Sequence, residues 1–375
     1  MMRQLDAFRE TFCAEGFDAC IVTANPDLRW LTGWDYTFDS EKAHVALITP
    51  DLAFLHTDAR YSAVMRSRDT EGIWQINDER ISHAACIARV LATLAKVKVG
   101  EPLSVFVEND LPLYQYRALE KALNDEAYPG LSKARLVESE SLILKLRAIK
   151  NPDEIALLRR AQQITDTAFN KLLEWLRPGL TEIEVATELE YLMRTGGADS
   201  VAFPSIVASG PNSANPHAVP TTRALAPGDF VVIDFGARYQ DYCADTTRTL
   251  CIGSPSMQQQ EIYGAVLEAH NAAKAFIHPG ITGAEAFECA NDVLKSHGLS
   301  ENFLHSLGHG LGLAVHELPR LATKENTPLV AGNVVSVEPG VYIPDYGGVR
   351  IEDCGLVTAT GFESFTTLPH ELMVI

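Results

Sequence analysis

Several things are scarce or missing in this 375-residue chain, and each absence closes a class of function. No apolar run approaches the roughly 20 residues that cross a bilayer, so no membrane role is expected. Lys and Arg total 31 against 49 Asp and Glu, a net charge of −18. That leaves no basic excess for nucleic acid or an anionic membrane. The seven cysteines (Cys13, Cys20, Cys86, Cys243, Cys251, Cys289 and Cys354) are scattered and form no CxxC pair. Neither a disulfide framework nor a zinc ribbon is indicated. Met1-Met2-Arg3-Gln4-Leu5-Asp6 opens a polar amphipathic helix rather than an apolar signal segment, so a reducing cytoplasm is the expected compartment. No serine lies in GxSxG. Gly308-His309-Gly310-Leu311-Gly312 lacks GxGxxG spacing, and His316-Glu317 begins like HExxH but meets Arg320 where the second histidine belongs. Phosphate-cradling and zincin chemistry are therefore not expected.

What the chain does have is a duplication. Arg177-Pro178-Gly179-Leu180-Thr181 with Glu184 matches His278-Pro279-Gly280-Ile281-Thr282 with Glu285. Each reads as a helix stop, a turn, and a new helix opened by a Thr/Glu capping box. These second helices should stop at Gly196-Gly197 and at His297-Gly298. Further on, Gly228-Asp229-Phe230-Val231-Val232-Ile233-Asp234 matches Gly332-Asn333-Val334-Val335-Ser336-Val337-Glu338, and His217-x-x-Pro matches His316-x-x-Pro. A near-constant offset of about 100 residues argues for an ancient two-fold repeat. Two copies are too few for a solenoid, so two αα-β halves facing each other, with a site on the pseudo-axis, are expected.

Ahead of the repeat, strand-like and helix-like runs alternate. Ala19–Val22 and His44–Ile48 read as strands, Ile81–Leu94 as a helix, and Val137–Leu146 as a strand and connector. This predicts a small α/β domain over residues 1–140, followed by a mixed α/β (α+β) domain over 141–375. The second domain starts with a helix at Asn151-Pro152-Asp153-Glu154, where cap, proline and first-turn acids coincide.

Each copy of the repeat ends an apolar run on a carboxylate, Asp234 or Glu338, and places a second one beyond a turn, Asp245 or Glu352. A hairpin turning near Tyr239-Gln240 would set Asp234 and Asp245 directly opposite, with Cβ atoms about 4.5–5.5 Å apart. A turn centred on Asp345 would do the same for Glu338 and Glu352. Like charges directly opposite destabilise a sheet unless cations lie between them, and two-metal sites hold ions about 3.5–4 Å apart. A single aspartate beside a turn is ordinarily a solvated residue; two such pairs at matching places in a repeat call for another explanation. His309, flanked by glycines, could add a nitrogen ligand to this oxygen-rich set.

With these residues in view, the chain resembles the M24-type pita-bread metallopeptidases, the family of prolidase, aminopeptidase P and methionine aminopeptidase. That family's ligand set corresponds here to Asp234, Asp245 before Thr247-Arg248-Thr249, His309, Glu338 in Glu338-Pro339-Gly340, and Glu352 in Arg350-Ile351-Glu352-Asp353. Leu31-Thr32-Gly33 and Asp58-Ala59-Arg60-Tyr61 resemble the creatinase/prolidase N-terminal domain, which methionine aminopeptidases generally lack. The resemblance implies a dinuclear hydrolase cleaving before proline, most simply an Xaa-Pro dipeptidase. Its alternatives are an Xaa-Pro aminopeptidase acting on longer peptides, or the same metal site turned to a non-peptide substrate. It implies two divalent ions, Mn²⁺ favoured by the hard oxygen set, with Co²⁺, Zn²⁺ or Fe²⁺ as alternatives. Glu338 would also take a proton from water. His217 and His316 would contact the substrate, and Arg320 would approach its C-terminal carboxylate. Small proline-containing peptides are the implied partners, and a homodimer the implied assembly.

Overall fold

Short runs of fully buried side chains build the first part of the chain. The computed structural model describes residues 4–38, 41, 43–95, 102–128, 131, 134–139 and 142–375. It divides into two compact units, Met1–Leu146 and Arg147–Ile375. In the first, β1 (Ala19–Val22), β2 (Val45–Ile48), β3 (Ala53–His56), β4 (Gln75–Asn77), β5 (Ser104–Glu108) and β6 (Arg135–Ser139) form one sheet in the order β4-β3-β2-β1-β5-β6. Every residue of β1, β2 and β3 is buried, as in a sheet covered on both faces. Its helices are α1 (Gln4–Ala14), α2 (Asn25–Thr32), α3 (Ala59–Arg68), α4 (His83–Ala95), α5 (Leu113–Leu123) and α6 (Leu142–Arg147). Both expected strands and the expected helix are present within two residues. The stretch after β6 is the helix α6 rather than an open connector. The domain boundary expected at residues 140 and 141 lies outside the described residues.

The second unit is the repeat. Its first half runs α7 (Pro152–Trp175), α8 (Glu182–Thr195), β7 (Ser200–Val201), β8 (Ile206–Ser209), β9 (Phe230–Phe235), β10 (Ala237–Tyr239), β11 (Tyr242–Cys243) and β12 (Thr246–Cys251). The second half runs α9 (Met257–Phe276), α10 (Gly283–Ser296), β13 (Gly308–Gly310), β14 (Glu317–Leu321), β15 (Val334–Val337), β16 (Gly340–Ile343), β17 (Gly347–Arg350), β18 (Asp353–Val357), β19 (Phe362–Ser364) and β20 (Met373–Val374). Capping boxes at Asn151/Glu154, Thr181/Glu184, Ser256/Gln259 and Thr282/Glu285 start the four helices. Each satisfies amide donors that a helix terminus otherwise leaves orphaned.

The duplication extends to single backbone hydrogen bonds. Gly179 N donates to Leu225 O at 2.9 Å, and Gly280 N to Leu329 O at 2.8 Å. Gly228 N donates to Ile252 O at 2.7 Å, and Gly332 N to Val357 O at 2.9 Å. Gly228 and Gly332 hold φ at 91° and 98°, a region open to glycine and costly for other residues. Each half packs its helices on its own sheet. One core centres on Phe169, Leu189 and Ile233, the other on Val266, Leu294 and Val335. The main sheets are β20-β12-β9-β8 and β14-β13-β15-β18-β19.

One register differs from expectation. The turn between β10 and β11 falls on Gln240-Asp241, both at positive φ (47° and 70°), one residue later than Tyr239-Gln240. Two residues at φ > 0 make a two-residue hairpin turn of the primed type, whose twist matches that of the strands. Asp234 therefore faces Thr247, and Asp245 lies two positions diagonal to it on the same face. In the second half Val337 faces Asp353 and Gly340 faces Arg350, with Asp345 at φ 62° in the turn. Glu338 and Glu352 fall opposite each other between those two ladders.

Candidate metal centre and substrate face

Asp234 is the penultimate residue of β9, Asp245 joins β11 to β12, His309 is the middle of β13, Glu338 joins β15 to β16, and Glu352 joins β17 to β18. The structure brings all five together. His309 Nε2 lies 3.2 Å from Glu338 Oε1 and 3.6 Å from Asp245 Oδ2. Asp245, His309 and Glu352 each offer a ligand atom, all within 4.8 Å of one another. The glycines beside His309 are sterically required. A Cβ on Gly308 would stand 2.0 Å from Ser336 O, and one on Gly310 2.2 Å from Leu318 O.

The arrangement fits cations. Asp245 and Glu352 are buried, and Glu352 Oε1 and Asp234 Oδ1 have no hydrogen-bond partner. Burial, then the neighbouring carboxylates, push the Asp245 and Glu352 carboxyls well above the ordinary range. Asp234 is raised too, by burial first, against the opposing charge of Arg350. Glu338 goes the other way. Burial opposes it, but the hydrogen bond and charge of His309, with His305 and Arg350, hold its carboxyl at about 2. His309 Nδ1 lies 3.1 Å from Gly310 O. A proton there directs the Nε2 lone pair at the carboxylates, an orientation suited to a bound cation. Four acids, one imidazole and two orphaned buried oxygens are a set that divalent ions would satisfy.

Other side chains hold these candidate ligands, and sequence reasoning passed over them. Arg350 is 3% exposed and donates to Asp234 Oδ2 and to the Tyr342 hydroxyl, each at 2.6 Å, and to Thr247 Oγ1 at 3.0 Å. Thr247 Oγ1 donates to Glu352 Oε2 at 2.7 Å, and Ser336 Oγ to Glu338 Oε1 at 3.1 Å. The available signal was an arginine within an apolar stretch, which must find a buried acceptor.

His316 stacks edge-on against His309, ring centroids 4.3 Å apart, with its edge exposed to solvent. Burial, then the charges of His309, His217 and Arg320, lower its pKa. His217 is exposed on the loop after the turn Gly210–Ala214. Two buried acids anchor these loops. Glu182 accepts from Ser209 N, Ser209 Oγ and Thr221 N at 2.7, 2.7 and 2.9 Å. Glu317 accepts from Ala314 N at 2.8 Å, from Lys150 Nζ at 3.3 Å and from Arg147. Arg320 faces His309 across the β13–β14 ladder, is exposed, and its guanidinium pairs with no acid among the described residues.

This geometry is that of a metallopeptidase. The model of metallopeptidase family M24 matches residues 156–359, and that of the creatinase/prolidase N-terminal domain matches residues 4–149. The chain belongs to metallopeptidase family M24. It is 38% identical over 372 residues to the uncharacterized peptidase YqhT of Bacillus subtilis, covering 99% of this chain and 100% of that one. It is 44% identical over 234 residues to the Xaa-Pro dipeptidase of Pyrococcus furiosus, covering 62% of this chain and 67% of that one. Among solved structures it is similar to an Xaa-Pro dipeptidase from Bacillus anthracis, with TM-score 0.89, 38% identity and 99% of each chain covered. It is also similar to an X-Pro aminopeptidase from Thermotoga maritima, with TM-score 0.81, 31% identity, and 96% and 98% covered. No helix among the described residues is long and apolar enough to cross a membrane.

Proposed function

We propose that this chain is a dinuclear metallopeptidase that hydrolyses the bond before proline in Xaa-Pro dipeptides. The observation that carries the dipeptide reading is Arg320: an exposed guanidinium, paired with no acid among the described residues, directly across the strand pair from His309. Asp234, Asp245, His309, Glu338 and Glu352 would hold two divalent ions. Bound there, such ions act as Lewis acids on the scissile carbonyl and lower the pKa of a water. Glu338 receives the proton of the attacking water. His316, with its exposed edge beside His309, donates a hydrogen bond to the oxygen that gains charge, and His217 orients the peptide from the opposite loop. Arg320 grips the terminal carboxylate with its planar fork. The hard oxygen set supports Mn²⁺ as the working metal. Seven unpaired cysteines support a reducing, cytoplasmic setting, and the family resemblance supports a homodimer.

The likeness to an X-Pro aminopeptidase favours a second reading, release of the first residue from longer Xaa-Pro peptides. Turnover of Ala-Pro and Ala-Pro-Ala by metal-loaded protein separates the two. A dipeptidase cleaves Ala-Pro and handles the tripeptide poorly. Equal or faster cleavage of Ala-Pro-Ala overturns the dipeptidase reading.

A further inference from the structure

Successive residues of an extended chain project to opposite sides. Glu352 meets Thr247 Oγ1 on the side of the five-residue cluster, whereas the next residue, Asp353, meets Arg248 Nη2 at 2.9 Å on the other. A second group of donors surrounds Asp353. His370, in the segment before β20, sets Nε2 at 3.0 and 2.9 Å from the two carboxylate oxygens. His270, on α9, sets Nε2 at 3.9 Å from Oδ2. One atom each of His270, Asp353 and His370 lies within 4.8 Å of the others.

His270 is the residue that requires an explanation. Its side chain is 0% exposed, and neither ring nitrogen has a hydrogen-bond partner. Buried polar groups are nearly always satisfied, so an orphan aimed at a carboxylate indicates an absent third body. At 3.9 Å the contact with Asp353 is too long for a hydrogen bond.

We propose that His270, Asp353 and His370 form a metal site outside the catalytic cluster, taking one divalent transition ion of the zinc type. Two imidazoles and one carboxylate, with water completing the shell, suit Zn²⁺ and its nitrogen-preferring neighbours better than Mn²⁺. Tetrahedral ligands at about 2.0–2.2 Å lie about 3.3 Å from one another, and the two histidine–aspartate separations of 2.9 and 3.9 Å bracket that spacing. His370 is 29% exposed and gives a route in from solvent. Arg248, fully buried, fixes Oδ1, while Oδ2 accepts from Ser364 Oγ at 3.0 Å and is the oxygen nearer His270. Lys274, one turn beyond His270 on α9, occupies Oδ2 in the ion's place. Its side chain is 20% exposed and flexible enough to swing out, which makes it a competitor.

That competition sets opposite signs for two variants. Full-length D245A/E338A protein, with the catalytic cluster disabled, is titrated with Zn²⁺ against a chromophoric chelator, and retained zinc is counted by elemental analysis. One zinc per chain is expected. In this background H270Q should weaken binding at least about tenfold, while K274M should tighten it by about tenfold or more by removing a cation from the ligand oxygen. If H270Q fails to fold, as read by circular dichroism of metal-free protein, H370A gives the same readout at a partly exposed position. No retained zinc in D245A/E338A, or equal affinity with and without the histidine, overturns the proposal. The loss of ions on going from wild type to D245A/E338A tests the catalytic pair separately.

Discussion

Glu317 offers a measurable test of how the substrate face is held. Its carboxylate lies between Arg147 and Lys150, with all three side chains 4% exposed or less. Glu317→Gln keeps the volume but removes the carboxylate that both buried cations contact. Breaking a buried pair by removing one partner costs about 3–5 kcal/mol, a large fraction of the roughly 5–15 kcal/mol that stabilises a domain. With a urea m value of about 3 kcal/mol per M, the unfolding midpoint should fall by about 1–1.7 M. The pH dependence follows with a definite sign. Burial raises the Glu317 carboxyl, but the charges of Arg147 and Lys150 outweigh it and hold it below the usual range. A depressed carboxylate contributes its stability above the unfolded value of about 4.3 and loses it as pH falls through the folded value. The gap between wild type and Glu317→Gln should therefore be flat at neutral and mildly acidic pH and close below about pH 4. Replacing the whole triad by apolar residues, as R147M/K150M/E317L, should recover most of the loss, because a buried ion pair is roughly balanced by its own desolvation. A Glu317→Gln midpoint within about 0.2 M of wild type at neutral pH would refute the reasoning.

Three other outcomes are expected. Exhaustive chelation should abolish peptidase activity, and Asp245→Ala should lower the occupancy of the five-residue cluster from about two ions; full activity in the chelated sample would sink the dinuclear reading. His316→Ala should reduce kcat by about 10²–10³, the usual loss for one oxyanion donor, with metal content intact; a loss of thermal stability at unchanged kcat would mean that the ring only braces its loop. Arg320→Ala should raise KM for Xaa-Pro by about 10-fold or more, since a charged hydrogen bond contributes about 1.5–3 kcal/mol, and should leave tripeptide cleavage nearly unaffected.

The clustered carboxylates were legible because they are repeated. Gly228–Asp234 and Gly332–Glu338 announce the same strand twice, and paired acids at their ends admit few uses. Their mutual placement was half legible. Asp345 marks the turn between Glu338 and Glu352, whereas Tyr239-Gln240-Asp241 offers no glycine to choose between two adjacent turn positions; the turn moved by one residue and the pairing therefore by two. Arg350, Tyr342 and Thr247 stayed hidden because their role depends on contacts across the repeat, such as Arg350 with Asp234, 116 residues away in sequence. Glu182 and Glu317 were hidden for the same reason: an acid early in a helix or strand reads as solvated until its partners are known. The helix α6 was missed because a six-residue segment carries little periodicity.

The matched helix starts carry a consequence for how this enzyme could change. Thr181 and Thr282 open α8 and α10 identically, but the next position is Glu182 in one copy and Gly283 in the other. Glu182 reaches out to tie down the loop bearing His217 through hydroxyls and amides. At Gly283 there is no room for any such arm, because a Cβ would meet Arg320 O at 2.1 Å. The two helix starts thus support their halves differently: Glu182 ties the His217 loop by polar bonds, whereas α10 meets the strand after His316 by main-chain contact and leaves the polar anchoring there to Glu317. The His217 loop can be retuned by single polar substitutions at Ser209, Asn212 or Thr221. The strand bearing Arg320 admits no gradual adjustment from α10, since even one methyl group there must move the backbone. Adjustment from the start of the second helix is therefore open on the first half of the repeat and sterically blocked on the second.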